Sequence, residues 1–277
     1  MLDVGEAVLT VQRLPQGREP LQDPWVLPIP AATLREGRPV EAEALGDFIG
    51  DLLLTQGLIS AQLRVALPAA ATHWRVLEWP LQDWPDNPIA RLRALQPDLG
   101  LPFPLEQAYI DLTPLPQAED QVLFAALQRD LLEDWLQMFS IAGVRLERLV
   151  PSQVAVMAAL RSYLEAADPG TLVALLLPEF KALRLLVWRD GVPLYERLLA
   201  TEPVQASQQL EACLVFLRHL HGDAPLELLL ADGLPAEPRA SLEAALQQLL
   251  GQAPAVPSLT GWGNLVVLGL SQLEEGP

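Results

Sequence analysis

The order of secondary structure predicted near the start of this chain is a shortened version of the order predicted near its end, and this repetition restricts the folds that the chain can adopt. Between residues 2 and 67, apolar alternation predicts two strands, a helical stripe predicts a helix over 41–56, and an apolar run predicts a strand over 62–67. Residues 171–250 predict three strands, a helix, a strand and a helix. The turn signal Asp168-Pro169-Gly170 separates the two series. The repetition predicts an α/β fold of duplicated mixed sheets flanked by helices.

The first half begins with a predicted β-hairpin. Alternation over 2–14 predicts one strand, the Pro-Gln-Gly sequence at 15–17 predicts a turn, and 25–29 predicts the second strand. A strand over 144–149 and a helix from Ser152 to about 166 return to this half. In the second half we expect strands at 171–177, 182–188, 192–198 and 226–231 and helices at 203–220 and 239–250.

The middle third differs in character from the two halves. Its tryptophans and frequent prolines divide it into short elements, which a continuous doubly wound sheet would not tolerate. We interpret it as an inserted small α+β subdomain. Its predicted elements are strands at 74–78, 107–113 and 121–127 and helices at 89–96 and 129–142. The predicted domains are a first half (1–68, with 144–167 returning to it), the insert (69–143) and a second half (168–277).

Composition excludes several classes of function. The chain has 18 basic and 35 acidic residues and a formal charge of −17, which repels nucleic acid. Lys181 is the single lysine, and it does not follow a glycine-rich phosphate loop. Cys213 is the single cysteine, so no disulfide can form within the chain, which fits a reducing compartment.

The sequence predicts neither a catalytic residue nor a metal site. His219 and His221 do not share a helix face, and His73 is far from them in sequence. No nucleophile elbow of the Gly-x-Ser-x-Gly type is present. Acidic residues near Met1 argue against a signal peptide, and the apolar runs are shorter than the roughly 20 residues that span a bilayer. We therefore expect a protein without a membrane segment of its own.

A series of short motifs in the first half and the insert resembles the PilM family. The order is Val65-Ala66-Leu67-Pro68, Pro102-Phe103, Glu106, Asp111 and Ala142-Gly143. PilM proteins are actin-like (ribonuclease H-like) cytoplasmic scaffolds of the type IV pilus assembly platform. The resemblance implies an actin-like fold and a cytoplasmic protein that is peripheral at the inner membrane through a protein partner.

The nucleotide motifs of the actin-like superfamily are incomplete in this chain. Asp3-Val4-Gly5 resembles the first phosphate motif, and Asp232 and Gly233 remain from the adenosine-side glycine pair. The second phosphate motif would fall at 175–180, where Pro178 removes a backbone donor and Glu179 adds negative charge. We therefore expect no cofactor: Asp3, Gly5, Asp232 and Gly233 are a residual site that binds ATP and magnesium weakly or not at all.

The resemblance also implies a partner. In the family, the N-terminal cytoplasmic tail of a PilN-like single-pass membrane protein lies as an extended peptide in a groove between the first subdomain and the inserted one. Other pilus platform components are further expected partners. An extended peptide can dock without any catalytic group, by strand addition or in a groove. The groove residues implied here are Arg64, Val65, Leu67, Arg75, Leu77, Val150 and Pro151.

Two alternatives to the pilus scaffold remain at this level. The first is a working actin-fold ATPase, for which Asp3-Val4-Gly5 and Asp232-Gly233 are the support. The second is a GspL-like cytoplasmic component of type II secretion, which shares the fold but is normally followed by a membrane span.

Overall fold

A computed structural model of the chain describes residues 1–14, 22–58, 60–80, 84–96, 99–257 and 264–273. The strands are β1 Leu2–Val4, β2 Val8–Val11, β3 Trp25–Pro28, β4 Leu34–Arg35, β5 Arg38–Pro39, β6 Gln62–Leu67, β7 His73–Glu78, β8 Ala108–Leu115, β9 Ala118–Gln128, β10 Arg145–Pro151, β11 Leu172–Pro178, β12 Leu183–Arg189, β13 Val192–Leu199 and β14 Leu226–Leu230. The helices are α1 Ala42–Thr55, α2 Pro88–Leu95, α3 Arg129–Ile141, α4 Ser152–Ala166, α5 Pro203–His221, α6 Ala236–Leu250 and α7 Leu265–Gln272.

The chain divides into two compact units. The first comprises Met1–Ala159 and Gly261–Pro277, and the second comprises Leu160–Thr260. The inserted subdomain belongs to the first unit, and it has a sheet and a core of its own.

The first unit contains a mixed five-stranded sheet in the order β10-β6-β1-β2-β3. β6 runs parallel to both β1 and β10, while β1, β2 and β3 form an antiparallel meander. The apolar faces of α1 and α3 pack with this sheet in one core, in which Trp135 is fully buried. The indole Nε1 of Trp135 donates a hydrogen bond of 2.9 Å to the carbonyl oxygen of Gly37, so its polar group is satisfied.

The inserted subdomain is a three-stranded antiparallel sheet in the order β7-β9-β8. Alternate residues of these strands form its core with Leu92 of α2 and with Leu99, Leu101 and Phe103. Phe103 belongs to the Pro-Phe motif, and its ring lies edge-on to His73 at 5.4 Å between centroids. The motif therefore covers one face of the inserted sheet.

The second unit contains a four-stranded sheet in the order β13-β12-β11-β14. The first three strands are antiparallel, and β14 runs parallel to β11. β11 and β12 are buried over nearly their whole length, as expected for central strands with both faces covered. α5 and α6 pack on this sheet through a core of leucines that also includes Cys213.

Two predictions from the sequence are wrong in this architecture. Residues 2–14 do not form one strand, because the chain turns at Gly5 and β2 folds back on β1, with Leu2 opposite Val11. Residues 265–272 are not part of the second half, because α7 packs on β1 and β6 of the first unit. The sequence analysis did not predict α7 at all.

Helix α7 is largely buried within the first unit. Its buried side chains include Leu265, Val267 and Leu270. Gly269 crosses so close to α4 that an added Cβ would lie 1.7 Å from the carbonyl oxygen of Ala155. A glycine at this position is therefore required for the approach of the two helices.

Candidate functional site

Strand β10 is an open edge of the five-stranded sheet. On its inner side it pairs in parallel with β6, with Leu149 opposite Val65 and Pro151 opposite Leu67. No other described strand pairs with its outer side, and none of its residues is fully buried. Because an edge strand presents unpaired backbone N–H and C=O groups, β10 is suited to accept an extended peptide by strand addition.

A β-bulge interrupts this edge at Glu147. The register shifts between Leu146 and Arg148, so Glu147 has no residue opposite it in β6. Its carboxylate Oε1 instead accepts a hydrogen bond of 2.6 Å from Nε of Arg64. The bulge therefore directs a carboxylate onto an arginine of the neighbouring strand.

Arg64 connects three elements of the first unit. Besides Glu147, its Nη1 donates to the carbonyl oxygens of Leu273 at 3.1 Å and Leu270 at 3.5 Å, at the C-terminal end of α7. The residue is only 9% exposed. A guanidinium suits this position because its several donors satisfy a carboxylate and the last helix carbonyls together.

The sequence assigns seven residues to a peptide groove, and the structure separates them by accessibility. Four are held inside the protein, namely Arg64, Val65, Leu67 and Leu77. Three are accessible at least in part, namely Arg75, Val150 and Pro151. The side chains of the first group contribute to core packing and to the attachment of α7, so the accessible group and the backbone of β10 are what a peptide could contact.

The inserted sheet offers a second accessible surface. Residues that pair directly across an antiparallel ladder share a face, so Trp74 with Ala125 and Val76 with Leu123 form one half-exposed apolar face. Arg75 points to the other face, where its Nη2 donates a hydrogen bond of 3.1 Å to the carbonyl oxygen of Gly100. Burial lowers the pKa of the adjacent His73, and the Arg75 charge lowers it further.

Asp3 is engaged within the first unit. Its Oδ2 accepts a hydrogen bond of 2.8 Å from Nδ2 of Asn264. The Oδ1 of Asn264 accepts from the backbone N–H of Val267 at 2.9 Å and so caps the N-terminus of α7. The carboxylate that the sequence assigns to a residual magnesium or phosphate site thus has a structural partner.

Gly5 forms the tight turn between β1 and β2. Its N–H donates to the carbonyl oxygen of Val8 at 3.0 Å, and an added Cβ would lie 3.1 Å from that oxygen. The carboxylate of Glu6 accepts a hydrogen bond of 2.6 Å from the N–H of Gly37. This turn therefore places a carboxylate beside the first phosphate motif.

Asp232 and Gly233 lie after β14 in the second unit. The carboxylate of Asp232 forms an ion pair with Nη1 of Arg239 at 2.6 Å, and Nε of the same arginine contacts Glu243 at 2.8 Å. Pro178 Cβ would lie 3.6 Å from a side chain added at Gly233. In this second part of the residual site, Asp232 is thus paired with Arg239, and the ring of Pro178 lies beside Gly233.

The position of the second phosphate motif holds an ion pair. Glu179, at the start of the turn between β11 and β12, binds the guanidinium of Arg184, which is almost fully buried. The N–H of Glu179 donates to the carbonyl oxygen of Ala182 at 2.8 Å and closes the turn. A carboxylate and an inward hydrogen bond occupy the place where a phosphate cradle would need free donors.

Sequence reasoning missed Asn264 and Glu147. An asparagine directly before the apolar run from Leu265 is the usual signal for a helix N-cap and would have predicted α7. Glu147 gave no comparable signal, because a bulge depends on the register between two strands that are distant in sequence.

These sheets, their connections and the insert define an actin-like α/β fold. Over 100% of this chain and 98% of the other, the structure is similar to that of a PilM-PilN type IV pilus biogenesis complex, with a TM-score of 0.78 and 22% identity. A Bacteroides thetaiotaomicron protein with an actin-like ATPase fold is similar over 99% and 95% of the chains, with a TM-score of 0.61 and 9% identity.

The third comparison is with the cytoplasmic domain of EpsL, an inner membrane component of the type II secretion system of Vibrio cholerae. It covers 98% of this chain and 92% of that domain, with a TM-score of 0.54 and 16% identity. Neither a protein-family model nor a curated protein matches the sequence. The fold expected from the PilM resemblance is confirmed.

The described part of the chain was also searched for membrane spans. None of its helices combines the length and the apolar character needed to cross a bilayer.

Proposed function

We propose that this protein is a scaffold of a type IV pilus assembly platform that binds the N-terminal cytoplasmic tail of a PilN-like single-pass membrane protein. The observation that carries the proposal is the fold similarity to a PilM-PilN complex over the full length of both chains, including the insert. The motif order at Val65–Pro68, Pro102-Phe103 and Ala142-Gly143 supports it independently.

The tail binds at the open edge of β10, beside Val150 and Pro151. Backbone hydrogen bonds to this edge supply affinity for any extended segment, and neighbouring side chains supply selectivity. Cytoplasmic segments that flank a membrane span are enriched in lysine and arginine, and this chain carries a charge of −17. Electrostatic attraction therefore favours the encounter, and salt weakens it.

The protein acts without ATP hydrolysis and binds ATP weakly or not at all. Supporting observations are the hydrogen bond of Asn264 to Asp3, the Asp232–Arg239 pair and the Glu179–Arg184 pair. Calorimetry of the pure protein with Mg-ATP tests this part. Saturable binding in the micromolar range, lost in Asp3→Ala, would return the ATPase alternative to first place.

Binding of the tail holds the protein at the cytoplasmic face of the inner membrane. An acidic surface is repelled by anionic lipid headgroups, so recruitment through a protein partner is physically favoured over direct adsorption.

The similarity to the EpsL domain supports a second candidate function, that of a scaffold in a type II secretion platform. The identity of the membrane partner distinguishes the two candidates.

The experiment is purification of the tagged full-length chain from detergent-solubilised membranes of its host, with partners identified by mass spectrometry. We expect a single-pass membrane protein that is no longer recovered when its cytoplasmic tail is deleted. Val150→Arg on β10, which adds a bulky side chain with the same charge as the tail, should abolish recovery, whereas Leu136→Arg, on the exposed side of α3 in the same unit, should retain it. Recovery that is independent of the tail, or no membrane partner at all, would refute the proposal.

A further inference from the structure

Helix α5 of the second unit carries an exposed apolar stripe. Val215 is 62% exposed, Leu220 57% and Phe216 47%. Ala212, one turn before Phe216, is exposed as well. At 3.6 residues per turn these four residues, with the exposed His219 among them, share the side of the helix that faces away from the core residues Leu210, Cys213, Leu214 and Leu217.

Apart from Val204 near its N-terminus, the helix exposes large apolar side chains only in its C-terminal half. Its N-terminal half exposes Gln205, Gln208 and Gln209 over the same side. Phe216 is supported from below by Tyr195 of β13, with 5.7 Å between ring centroids. The side chain of Phe216 thus packs against a second aromatic ring on a neighbouring strand.

Two opposite charges flank the stripe along one side. Glu211 and Arg218 are both exposed and are separated by seven residues, so they lie on nearly the same side of the helix, about 10 Å apart along its axis. At this separation they do not pair with each other within the helix.

An antiparallel pair of these helices, with its two-fold axis near Val215, is complementary in both shape and charge. The small Ala212 of one copy then lies opposite the large Phe216 of the other, and Val215 meets its counterpart at the axis. Glu211 lies opposite Arg218 of the other copy, and symmetry forms this pair twice. A parallel pair would instead place Arg218 against Arg218 and Glu211 against Glu211.

We propose that the protein associates with a second copy of itself through antiparallel packing of α5 on α5. This surface is distinct from the β10 edge and does not depend on tail binding. One helix face on each copy is smaller than the roughly 1,200 Å² of a standard stable interface, so the dimer is weak and concentration-dependent. Electrostatic repulsion between two chains that each carry a formal charge of −17 is screened at physiological salt, where the Debye length is about 8 Å.

The test is sedimentation velocity of the full-length protein over a range of concentrations at physiological salt. We expect the mean mass of the wild type to rise from the 30.3 kDa of one chain toward twice that value. Val215→Glu should remain monomeric. Val204→Glu is the matched control, because Val204 is 60% exposed on the same helix but lies about two turns before the paired segment, and it should associate as the wild type does.

Charge reversal tests the antiparallel orientation. Glu211→Arg and Arg218→Glu should each weaken association, because each places like charges opposite one another. The double variant should restore it. Near-ultraviolet circular dichroism confirms that each variant is folded. A wild type that is monomeric at every concentration, or a Val215→Glu variant that associates like Val204→Glu, would overturn the proposal.

Discussion

The side chain of Asn264 donates a hydrogen bond of 2.8 Å to the carboxylate of Asp3 while its own oxygen caps α7. These two residues are 261 positions apart in sequence, and they join the first strand of the chain to its last helix. The aspartate of the first phosphate motif thus has a structural role. This contact gives Asp3 a role that does not require a nucleotide.

Removing either partner of this contact should destabilise the protein. Asp3→Ala and Asn264→Ala each lose the hydrogen bond to a charged group, and the second also loses a helix cap. We expect about 1 kcal/mol of coupling in a double-mutant cycle measured by urea unfolding. Strictly additive effects of the two substitutions would show that the contact does not contribute to stability.

Arg64 should contribute more to stability than an exposed arginine that also forms an ion pair. Arg64→Ala leaves Glu147 and the last carbonyls of α7 without their donor in a nearly buried site, and we expect a loss of about 3 kcal/mol. Arg38 pairs with Asp134 in a half-exposed position, so Arg38→Ala should cost about 0.5 kcal/mol. Equal losses for the two variants in denaturant unfolding would contradict this reading.

Alanine substitutions at Gly37 and Gly57 should distinguish the cost in stability of a left-handed backbone conformation from the cost of a steric clash. Both have left-handed backbone angles, with φ of 75° and 70°. An alanine Cβ at 37 would lie 2.4 Å from the backbone nitrogen of Ala71, whereas one at 57 would meet nothing within 4 Å. Gly57→Ala should cost about 1 kcal/mol, and Gly37→Ala should cost markedly more, by thermal unfolding. Similar melting temperatures for the two variants would be inconsistent with the packing at Gly37.

Stability should fall in mild acid because of His73. Burial, and then the charge of Arg75, lowers the folded-state pKa of His73 below its ordinary value of 6.5. The unfolded chain therefore binds a proton at a higher pH than the folded chain does, so this contribution is complete above pH 6.5 and declines as the pH falls toward the folded pKa. His73→Gln should flatten the pH dependence of the free energy of unfolding below pH 6.5, measured by urea unfolding at a series of pH values. An unchanged pH dependence in this variant would contradict the prediction.

Local sequence patterns predicted most of the secondary structure. The bounds of β6 and α4 are those expected from the sequence, because a short segment rich in apolar residues and a serine at the first helical position mark them locally. The single strand expected over 2–14 is wrong because Gly5 is followed by Glu6 and Ala7, which gave no strong turn signal.

The candidate site was harder to predict from the sequence than the fold was. Motif position identified the region around β6 and β10 but could not distinguish Val65 in the core from Val150 on an open edge. Nor could it predict that Arg64 and Asp3 hold opposite ends of α7, because both contacts join segments about 200 residues or more apart in the chain. The alternation of side chains becomes informative only when the partner strands are known.

The central claim is that the pure chain binds the N-terminal cytoplasmic tail of its PilN-like membrane partner at β10. The most direct measurement is a titration of the full-length protein into a fluorescent synthetic peptide of that tail, followed by anisotropy at two salt concentrations. We predict saturable binding that weakens with salt, is lost in Val150→Arg and is retained in Leu136→Arg. Absence of binding by the wild type, or equal binding by both variants, would contradict the account.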